Sequence, residues 1–435
     1  MKNNNKLNQS AQAETTWLKA DSTAKSTNAF RRWLMVVVAV FTTSLGVLTE
    51  SVFAQVSVTA TAGTAGPTTY TTVSAAFTAI NAGTHQGAIT MRIVANTTEP
   101  AAPTALTGSI SPANYTSVLI TPFGGSYTIS GAATPTASRA IIELNGADNV
   151  TIDGDDPSIL GTRNLTIAFP STSATIAACI RVSSASTLGA NGANNNTIKN
   201  CIITGNRSSL NTTATYGINM SNYSTTSLST GGYSSINNRF ENNLITRCYH
   251  GIWAVGASST YPNTGLRILN NVLGDNTAAG NIGFRAILMS NSAVNEAQSA
   301  IISGNQILGV GDPGTTGYAA SIAGIEVGTS AFGTKIFNNL VQNVKQPSTS
   351  GYGAYGVAFT GATSCDSMRF YNNIIQGITA SNYTATSCAR PRASPTRPCV
   401  RRSARSCGPC AALRAFRTSA RAACWWRCAP PPPRT

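Results

Sequence analysis

The sequence predicts an all-β protein, a right-handed parallel β-helix solenoid with a short N-terminal capping helix. The first observation is a six-residue phrase with two central residues, usually Asn-Asn, between apolar positions. Its six copies occupy residues 198–203, 240–245, 268–273, 302–307, 336–341 and 370–375. The second central residue recurs at steps of 42, 28, 34, 34 and 34 residues. A period of this length is typical of repeat architectures.

The second observation is a small–apolar–variable–apolar phrase, which follows each of the first five copies. Its copies occupy residues 217–220, 251–254, 286–289, 324–327 and 356–359. Two short strands and a loop of variable length, repeated along the chain, predict coils that stack on one another.

The third observation is the residue composition of the phrases. Alternating apolar and polar residues over four to six positions indicate strands, and abundant Gly, Asn, Ser and Thr argue against helical repeats. Stacked at about 4.8 Å per coil, equivalent apolar side chains fill a narrow core and contribute about 1.5–3 kcal/mol each. We expect the Asn pair to lie where the strand turns, with one Asn bonding to its equivalents in adjacent coils.

Residues 55–140 are predicted to form an N-terminal cap and the first coils, and residues 141–387 the regular repeats. A helix is predicted over residues 73–82, with Ser74 as its N-cap and Gly83 after its last turn. This helix would cover the open end of the first coil. Strand-like segments then follow at residues 89–94, 118–120, 127–129 and 141–144.

Residues 1–54 are interpreted as a signal peptide with a long leader. Arg31 and Arg32 precede an apolar run over residues 33–48, and residues 52–54 resemble a small-residue cleavage site. A retained membrane anchor is the alternative, although the run is short for a spanning helix. The protein is therefore expected to be secreted or on the cell surface, with no membrane contact after cleavage.

The formal net charge of +15 is distributed unevenly. Residues 1–54 carry six basic and three acidic groups, residues 55–387 carry thirteen and twelve, and residues 388–435 carry eleven Arg and no acid. Because the body is nearly neutral, no nucleic-acid partner is expected for it.

Residues 75–83, 144–154 and 163–167 resemble the start of large secreted bacterial β-helix proteins. These proteins often end in a sorting domain for type IX secretion, which is not visible in this sequence. The predicted fold resembles the right-handed pectin-lyase-like superfamily over roughly residues 68–385. That superfamily includes polysaccharide lyases, glycoside hydrolases and adhesins, so the resemblance implies a fold and leaves the activity open.

The candidate metal ligands are Asp153, Asp155 and Asp156. Their carboxylates are hard oxygen ligands that suit Ca²⁺, although the Asp-Gly-Asp-Asp-Pro sequence is more typical of a turn. No cofactor is otherwise expected, and the catalytic residues stay unknown.

Other chemically active side chains are scattered through the body. His85 and His250 lie far apart and are treated as incidental, and no spacing typical of phosphate binding is found. Cys201 occupies an Asn slot and is expected to be a small buried residue. Aromatic residues in or near loops are candidates for stacking on sugar rings, or for packing: Tyr233, Trp253, Tyr261, Tyr352 and Tyr355.

Two functions of different class are consistent with these observations. One is an exported binding or adhesion scaffold whose ligand is a polysaccharide or a cell-surface glycan. The other is a polysaccharide lyase or glycoside hydrolase. The absence of a convincing carboxylate pair or acid–base His in the sequence favours the scaffold. The oligomeric state is unknown.

The tail, residues 388–435, is predicted to be a disordered Arg/Pro/Cys-rich segment translated in a shifted reading frame. Six of the ten cysteines lie in it. A genuine basic tail, and a metal or redox site at the Cys-Gly-Pro-Cys of residues 407–410, are the alternatives, but that motif lacks its usual strand context.

Reading the gene in its other two frames tests this interpretation. Beyond codon 385, one of them should encode a Gly-Ile/Val phrase followed by an Asn-Asn phrase within about 40 residues, slightly more than one repeat. Sequencing the gene and translating both frames checks this. If neither frame contains the phrases, the tail is genuine protein.

Overall fold

The computed structural model describes residues 54–159, 163–169, 175–184, 192–205, 215–224, 226–277, 279–293, 295, 298–311, 320–347, 352–361 and 367–380, and the backbone of 424–425. The predicted signal segment up to residue 53, Cys365, and the tail apart from residues 424–425 lie outside the described residues. Within the described part, no helix combines the length and the apolar character that crossing a bilayer requires.

The described residues are almost entirely β-strands, arranged in three long sheets that we name A, B and C. Sheet A contains β1 (Val56–Gly63), β2 (Thr68–Tyr70), β3 (His85–Ile93), β6 (Tyr115–Pro122), β9 (Val150–Asp153), β12 (Thr197–Lys199), β15 (Arg239–Glu241), β18 (Arg267–Leu269), β21 (Ile301–Ser303), β24 (Lys335–Phe337), β28 (Arg369–Tyr371) and β31 (Cys424–Trp425). Its neighbouring strands are parallel from β3 to β28. The pairs β1–β2, β1–β3 and β28–β31 are antiparallel.

Sheets B and C contain parallel strands. Sheet B contains β4 (Thr97–Thr98), β7 (Tyr127–Ser130), β10 (Leu165–Ala168), β13 (Cys201–Thr204), β16 (Leu244–Thr246), β19 (Val272–Leu273), β22 (Gln306–Ile307), β25 (Leu340–Gln342) and β29 (Ile374–Gln376). Sheet C contains β5 (Leu106–Thr107), β8 (Ala140–Asn145), β11 (Ala177–Ser184), β14 (Thr215–Asn222), β17 (His250–Val255), β20 (Arg285–Ser290), β23 (Ile322–Val327) and β27 (Ala354–Phe359). A separate two-stranded sheet pairs β26 (Lys345–Gln346) with β30 (Thr379–Ala380).

The strand order confirms the predicted parallel β-helix. The chain passes from a strand of sheet A to one of sheet B, then to one of sheet C, and returns to sheet A one step along. Thus β12, β13 and β14 form one coil, and β15 begins the next. The right-handed winding remains the expectation from the general chirality of parallel crossovers.

Apolar side chains stack in register inside the coils, as the repeat predicts. In sheet B the stacked residues are Ile203, Ile245, Leu273, Ile307, Val341 and Ile375. The first five are fully buried. Gln306, which precedes Ile307, is exposed, so the core and surface positions of this strand alternate as strand geometry requires.

The second residue of each Asn pair forms a continuous buried ladder. The side-chain Nδ2 of Asn243 donates to Oδ1 of Asn271 at 3.0 Å, and the same bond joins Asn271 to Asn305 at 3.0 Å. The ladder continues from Asn305 to Asn339 and on to Asn373, at 2.9 Å for each bond. Each of these Oδ1 atoms also accepts the backbone N–H of the preceding ladder residue at 3.0 Å. The predicted asparagine ladder is therefore present.

The first residue of each pair makes the corner. Asn242, Asn270, Asn338 and Asn372 have φ between 51° and 56°, and Gly304 takes the same place with φ 69°. Only Gly and, to a lesser extent, Asn adopt this left-handed region without a large cost. The pair therefore meets two separate requirements: its first residue forms the corner, and its second residue forms the ladder.

The capping helix α1 extends over Val73–Asn81, one residue shorter than predicted. Its N-cap is Thr72, whose Oγ1 accepts the N–H of Ala75 at 3.0 Å, so the assignment of Ser74 as N-cap is wrong. Ser74 lies inside the first turn, and its N–H and that of Val73 donate to the buried carboxylate of Glu99 at 2.8 and 2.9 Å. Two free N–H groups of the helix end are thus satisfied from the first coil, a partner that local sequence does not reveal.

Asn305→Ala tests the ladder. The change removes the acceptor for the N–H and Nδ2 of Asn271 and the donor to the carbonyl of Ile268, all buried. We expect a loss of about 2–5 kcal/mol of unfolding free energy, because several buried polar groups lose their partners. The control is Gln306→Ala, one residue along on the exposed face. Chemical denaturation measures both, and equal stabilities of the two variants would contradict the ladder model.

Candidate functional site

The outer face of sheet C carries side chains that change from coil to coil. Its inner positions hold the core residues Ile218, Ile252 and Ile287, so the alternate positions of the same strands point outward. One outward row contains Glu143, Arg181, Asn219, Trp253, Leu288, Glu326 and Ala358. A second row, two residues before the core positions, contains Ala140, Ala178, Tyr216, His250, Arg285, Ala323 and Tyr355. Tyr216 and His250 of this row contact Trp253 of the first, so these side chains lie on the same face.

Four aromatic rings surround His250. His250 stacks on Tyr216, with ring centroids 4.7 Å apart and an interplanar angle of 23°. The edge-to-face neighbours of His250 are Trp253 at 4.7 Å, Tyr249 at 4.9 Å and Phe284 at 5.6 Å. We call these five residues, together with Arg285, the His250 cluster.

Arg285 adds a cation to the cluster. Its guanidinium lies 3.8 Å from the centroid of the Phe284 ring, within the range of a cation–π contact. Its Nε forms an ion pair with Oε2 of Glu326 in the next coil, and Oε1 of Glu326 accepts a hydrogen bond from Oγ1 of Thr360 at 3.1 Å. The orientation of the guanidinium is therefore fixed from two sides.

Three polar atoms of the cluster are buried and have no hydrogen-bond partner in the part of the chain that the structure describes. They are Nδ1 of His250, Nε1 of Trp253 and Nη1 of Arg285. Buried polar groups in folded proteins are nearly always paired, and each unpaired group costs about 1–3 kcal/mol. Three such atoms lie within this one ring cluster.

The protonation states follow from the surroundings. Burial, and then the charge of Arg285, lower the pKa of His250 well below its ordinary value of 6.5, so this imidazole is neutral at pH 7. Burial, and then Tyr249, raise the pKa of Tyr216 to about 12, so its hydroxyl stays protonated. The cluster therefore offers ring faces, neutral donors and acceptors, and one cation paired with Glu326.

A loop covers the N-terminal part of the same face. Arg181 is fully buried, and its guanidinium donates to the carbonyls of Asn222, Ser224 and Ser227 at 2.6, 3.0 and 3.2 Å. Leu228 in this loop packs in a cluster with Tyr216 and two small side chains of β8 and β11. These hydrogen bonds and the packing of Leu228 hold the loop against sheet C beside the His250 cluster.

The predicted metal ligands lie at a different place, the corner between sheets A and B. Asp153 forms an ion pair with Lys199 at 2.9 Å, and its Oδ1 accepts Nδ2 of Asn200 at 2.8 Å. Asp156 is buried, and its carboxylate accepts the N–H groups of Gly125 and Ser158 at 2.8 Å each. These bonds are typical of a turn.

No group of three or more His, Cys, Asp or Glu with an arrangement able to hold a metal ion occurs in the described ranges. The backbone N–H of Asp155 donates to Oδ1 of Asp153 at 3.2 Å. The calcium site at Asp153, Asp155 and Asp156 stays a prediction.

The two histidines, His85 and His250, differ in the partners of their ring nitrogens and in their surroundings. Both ring nitrogens of His85 are bonded, Nε2 to the hydroxyl of Tyr70 and Nδ1 to the carbonyl of Thr64, each at 2.7 Å. His85, treated as incidental from the sequence, therefore joins β2 and β3 to the turn at Thr64. His250 lies instead at the centre of the ring cluster, which the sequence interpretation missed. The sequence feature that could have revealed the cluster is the outward position of His250 in the same strand as Trp253.

The remaining candidates are distributed over several surfaces. Tyr233 and Tyr261 lie in loops and contact each other edge to face at 5.7 Å, whereas Trp253 and Tyr355 belong to strands of sheet C. Among the described cysteines, Cys179, Cys201 and Cys248 are buried and free. Cys201 is therefore the small buried residue that its Asn slot predicts.

Comparisons with known proteins add two distant similarities in structure. The A-module of the mannuronan C-5 epimerase AlgE6 from Azotobacter vinelandii has 14% identity and a TM-score of 0.31, with 72% of this chain and 91% of that chain covered. The AlgE4 A-module from the same organism has 13% identity and a TM-score of 0.19, with 72% and 92% covered. No family model and no curated protein matches the chain.

The neutral state of buried His250 predicts a pH dependence of stability. The unfolded chain carries this imidazole at its ordinary pKa of 6.5, above that of the folded state. Below pH 6.5 the unfolded state therefore binds more protons, and stability falls as the pH falls. The contribution of neutral His250 is fully present above pH 6.5.

His250→Phe keeps a ring in the cluster and removes the titration. The melting temperatures of wild type and variant are measured from about pH 7.5 to pH 5, and that of the wild type should fall more steeply as the solution becomes acidic. Parallel pH profiles would show that His250 titrates normally.

Proposed function

We propose that the protein is an exported, cell-surface or secreted β-helix scaffold that binds polysaccharide on the outer face of sheet C. The observation that carries this proposal is the His250 cluster with its three unpaired buried polar atoms. Export is inferred from the apolar run and cleavage-like residues before Gln55.

The chemistry of the cluster suits a sugar. Carbohydrates present C–H faces that pack on aromatic rings and hydroxyls that both donate and accept hydrogen bonds, and aromatic side chains combine large apolar area with polar edges. Trp253 and Arg285 are half-buried, at the boundary between the cluster and the surface. A bound hydroxyl can accept from Nε1 of Trp253 or Nη1 of Arg285 and donate to the acceptor nitrogen of His250.

A second candidate function is a polysaccharide lyase at the same place. A neutral imidazole beside a fixed guanidinium is an arrangement in which the imidazole can accept a proton next to a carboxylate held by Arg285. A glycoside hydrolase fits less well, because hydrolysis typically needs two carboxyl groups and Glu326 is already paired with Arg285.

Trp253→Ala tests the binding proposal. Affinity electrophoresis against neutral and anionic polysaccharides, with and without Ca²⁺, should identify a ligand for the wild type. We expect the variant to bind it roughly ten-fold more weakly, the effect of losing one aromatic contact and one hydrogen bond.

Phe123→Ala is the control, because Phe123 is an exposed ring that lies outside sheet C. An equal loss of affinity in both variants, or no binding to any polymer by the wild type, would refute the proposal. Release of unsaturated products by the wild type, and its loss in His250→Phe, would instead identify the lyase.

A further inference from the structure

Glu326 neutralises the one cation of the His250 cluster. Nε of Arg285 donates to Oε2 of Glu326, and 14% of each of these two side chains is exposed. The other carboxylate oxygen, Oε1, accepts a hydrogen bond from Oγ1 of Thr360 at 3.1 Å. Both oxygens of Glu326 are therefore occupied, and its carboxylate is held beside the guanidinium from the next coil.

The other polar side chains of the cluster carry no charge at pH 7. Burial is the main cause of the low pKa of His250, and its imidazole is neutral. Burial also raises the pKa of Tyr216, to about 12, and that of Tyr249, so both hydroxyls keep their protons. The indole of Trp253 is a neutral donor. The cluster and Glu326 together therefore have a net charge of zero.

The strands around the cluster add no further charge. In the five consecutive strands β14, β17, β20, β23 and β27 of sheet C, Arg285 and Glu326 are the only residues among Asp, Glu, Lys and Arg. In the two preceding strands the charged residues are Glu143 and Arg181, which are fully buried. Glu143 forms an ion pair with Arg139. The strands of this face therefore present no unpaired carboxylate or cation beside the cluster.

The ion pair preserves a hydrogen-bond donor while it cancels a charge. Nη1 of Arg285 is buried and has no partner in the described part of the chain, so it can donate to a sugar hydroxyl. A sugar carboxylate at the same place would lie close to the carboxylate of Glu326, and like charges at a binding surface exclude such a ligand. A hydroxyl group meets no such repulsion.

We propose that Glu326 determines the specificity of the site, so that the site binds a neutral polysaccharide in preference to a carboxylated one. This inference rests on the proposed function, because it names the class of ligand for the same site. A carboxylate held by Arg285, which the lyase alternative requires, would have to displace Glu326.

Glu326→Gln tests the inference in the full chain, because it keeps the shape of the side chain and leaves the charge of Arg285 unbalanced. The probes are dextran, galactomannan, hydroxyethyl cellulose and polygalacturonate, used in affinity electrophoresis at low and high salt. The wild type should bind a neutral polymer with little salt dependence. The variant should bind polygalacturonate at least about ten-fold more tightly than the wild type does, and salt should weaken this binding.

Two further variants show whether the gain comes from Arg285. Arg285→Gln with Glu326→Gln removes both charges and should bind polygalacturonate no better than the wild type. Glu241→Gln is the matched control, because it breaks the same kind of ion pair, with Arg239, on sheet A. An equal gain in either variant would overturn the inference, and thermal unfolding confirms that each variant folds.

The same measurements on Trp253→Ala separate this inference from the proposed function. Wild-type preference for polygalacturonate, lost in Trp253→Ala, would overturn the inference and leave the proposed function intact. The same conclusion follows if the wild type binds a neutral polymer through Trp253 and Glu326→Gln gains no affinity for polygalacturonate. Neutral-polymer binding that Trp253→Ala does not weaken, or no binding to any probe, would refute the proposed function and this inference with it.

Discussion

Hydrogen bonding between stacked buried amides is the interaction on which the rest of the described structure depends. Nδ2 of Asn305 donates to the carbonyl of Ile268 in the preceding coil and to Oδ1 of Asn339 in the following one. Its Oδ1 accepts from the backbone and side chain of Asn271. One side chain thus joins three coils and satisfies the backbone at a buried corner, where water is excluded and unpaired groups are costly. Register at this corner fixes the apolar stacking in all three sheets.

The same solution occurs at a second corner, before sheet A. The backbone N–H of Asn196 donates to Oδ1 of Asn238 at 3.0 Å, and Nδ2 of Asn238 donates to the carbonyl of Ala193 at 2.7 Å. The residues just before them, Asn195 and Asn237, have φ of 56° and 57°. Corner residue and ladder residue again follow each other. Few coils use this position, so the sequence pattern does not reveal it, whereas the ladder beginning at Asn243 recurs often enough to be recognised.

The fold could be predicted from sequence because its determinants repeat, and the candidate site could not because its residues do not repeat. Ile307 and Asn305 have equivalents in several coils, and their burial follows from the period alone. His250 is stacked between Tyr216 and Arg285 in register, three different residues at one position of sheet C. A pattern search reports such a position as variable. Glu99 was missed for a related reason, because its helix partners Val73 and Ser74 lie in a different element.

Separation of core and faces explains how a repetitive scaffold can carry a cluster of unlike side chains on one outer face. Inward positions are restricted to apolar residues by stacking, and corners are restricted to Asn or Gly by backbone geometry and amide bonding. Outward positions meet neither restriction, so the side chains there can differ from one coil to the next. The His250 cluster on sheet C is built in this way, from Tyr216, His250 and Arg285 at one position of three successive strands. A site on an outer face therefore forms where unlike side chains of neighbouring coils meet, while the core and the corners keep the coils in register.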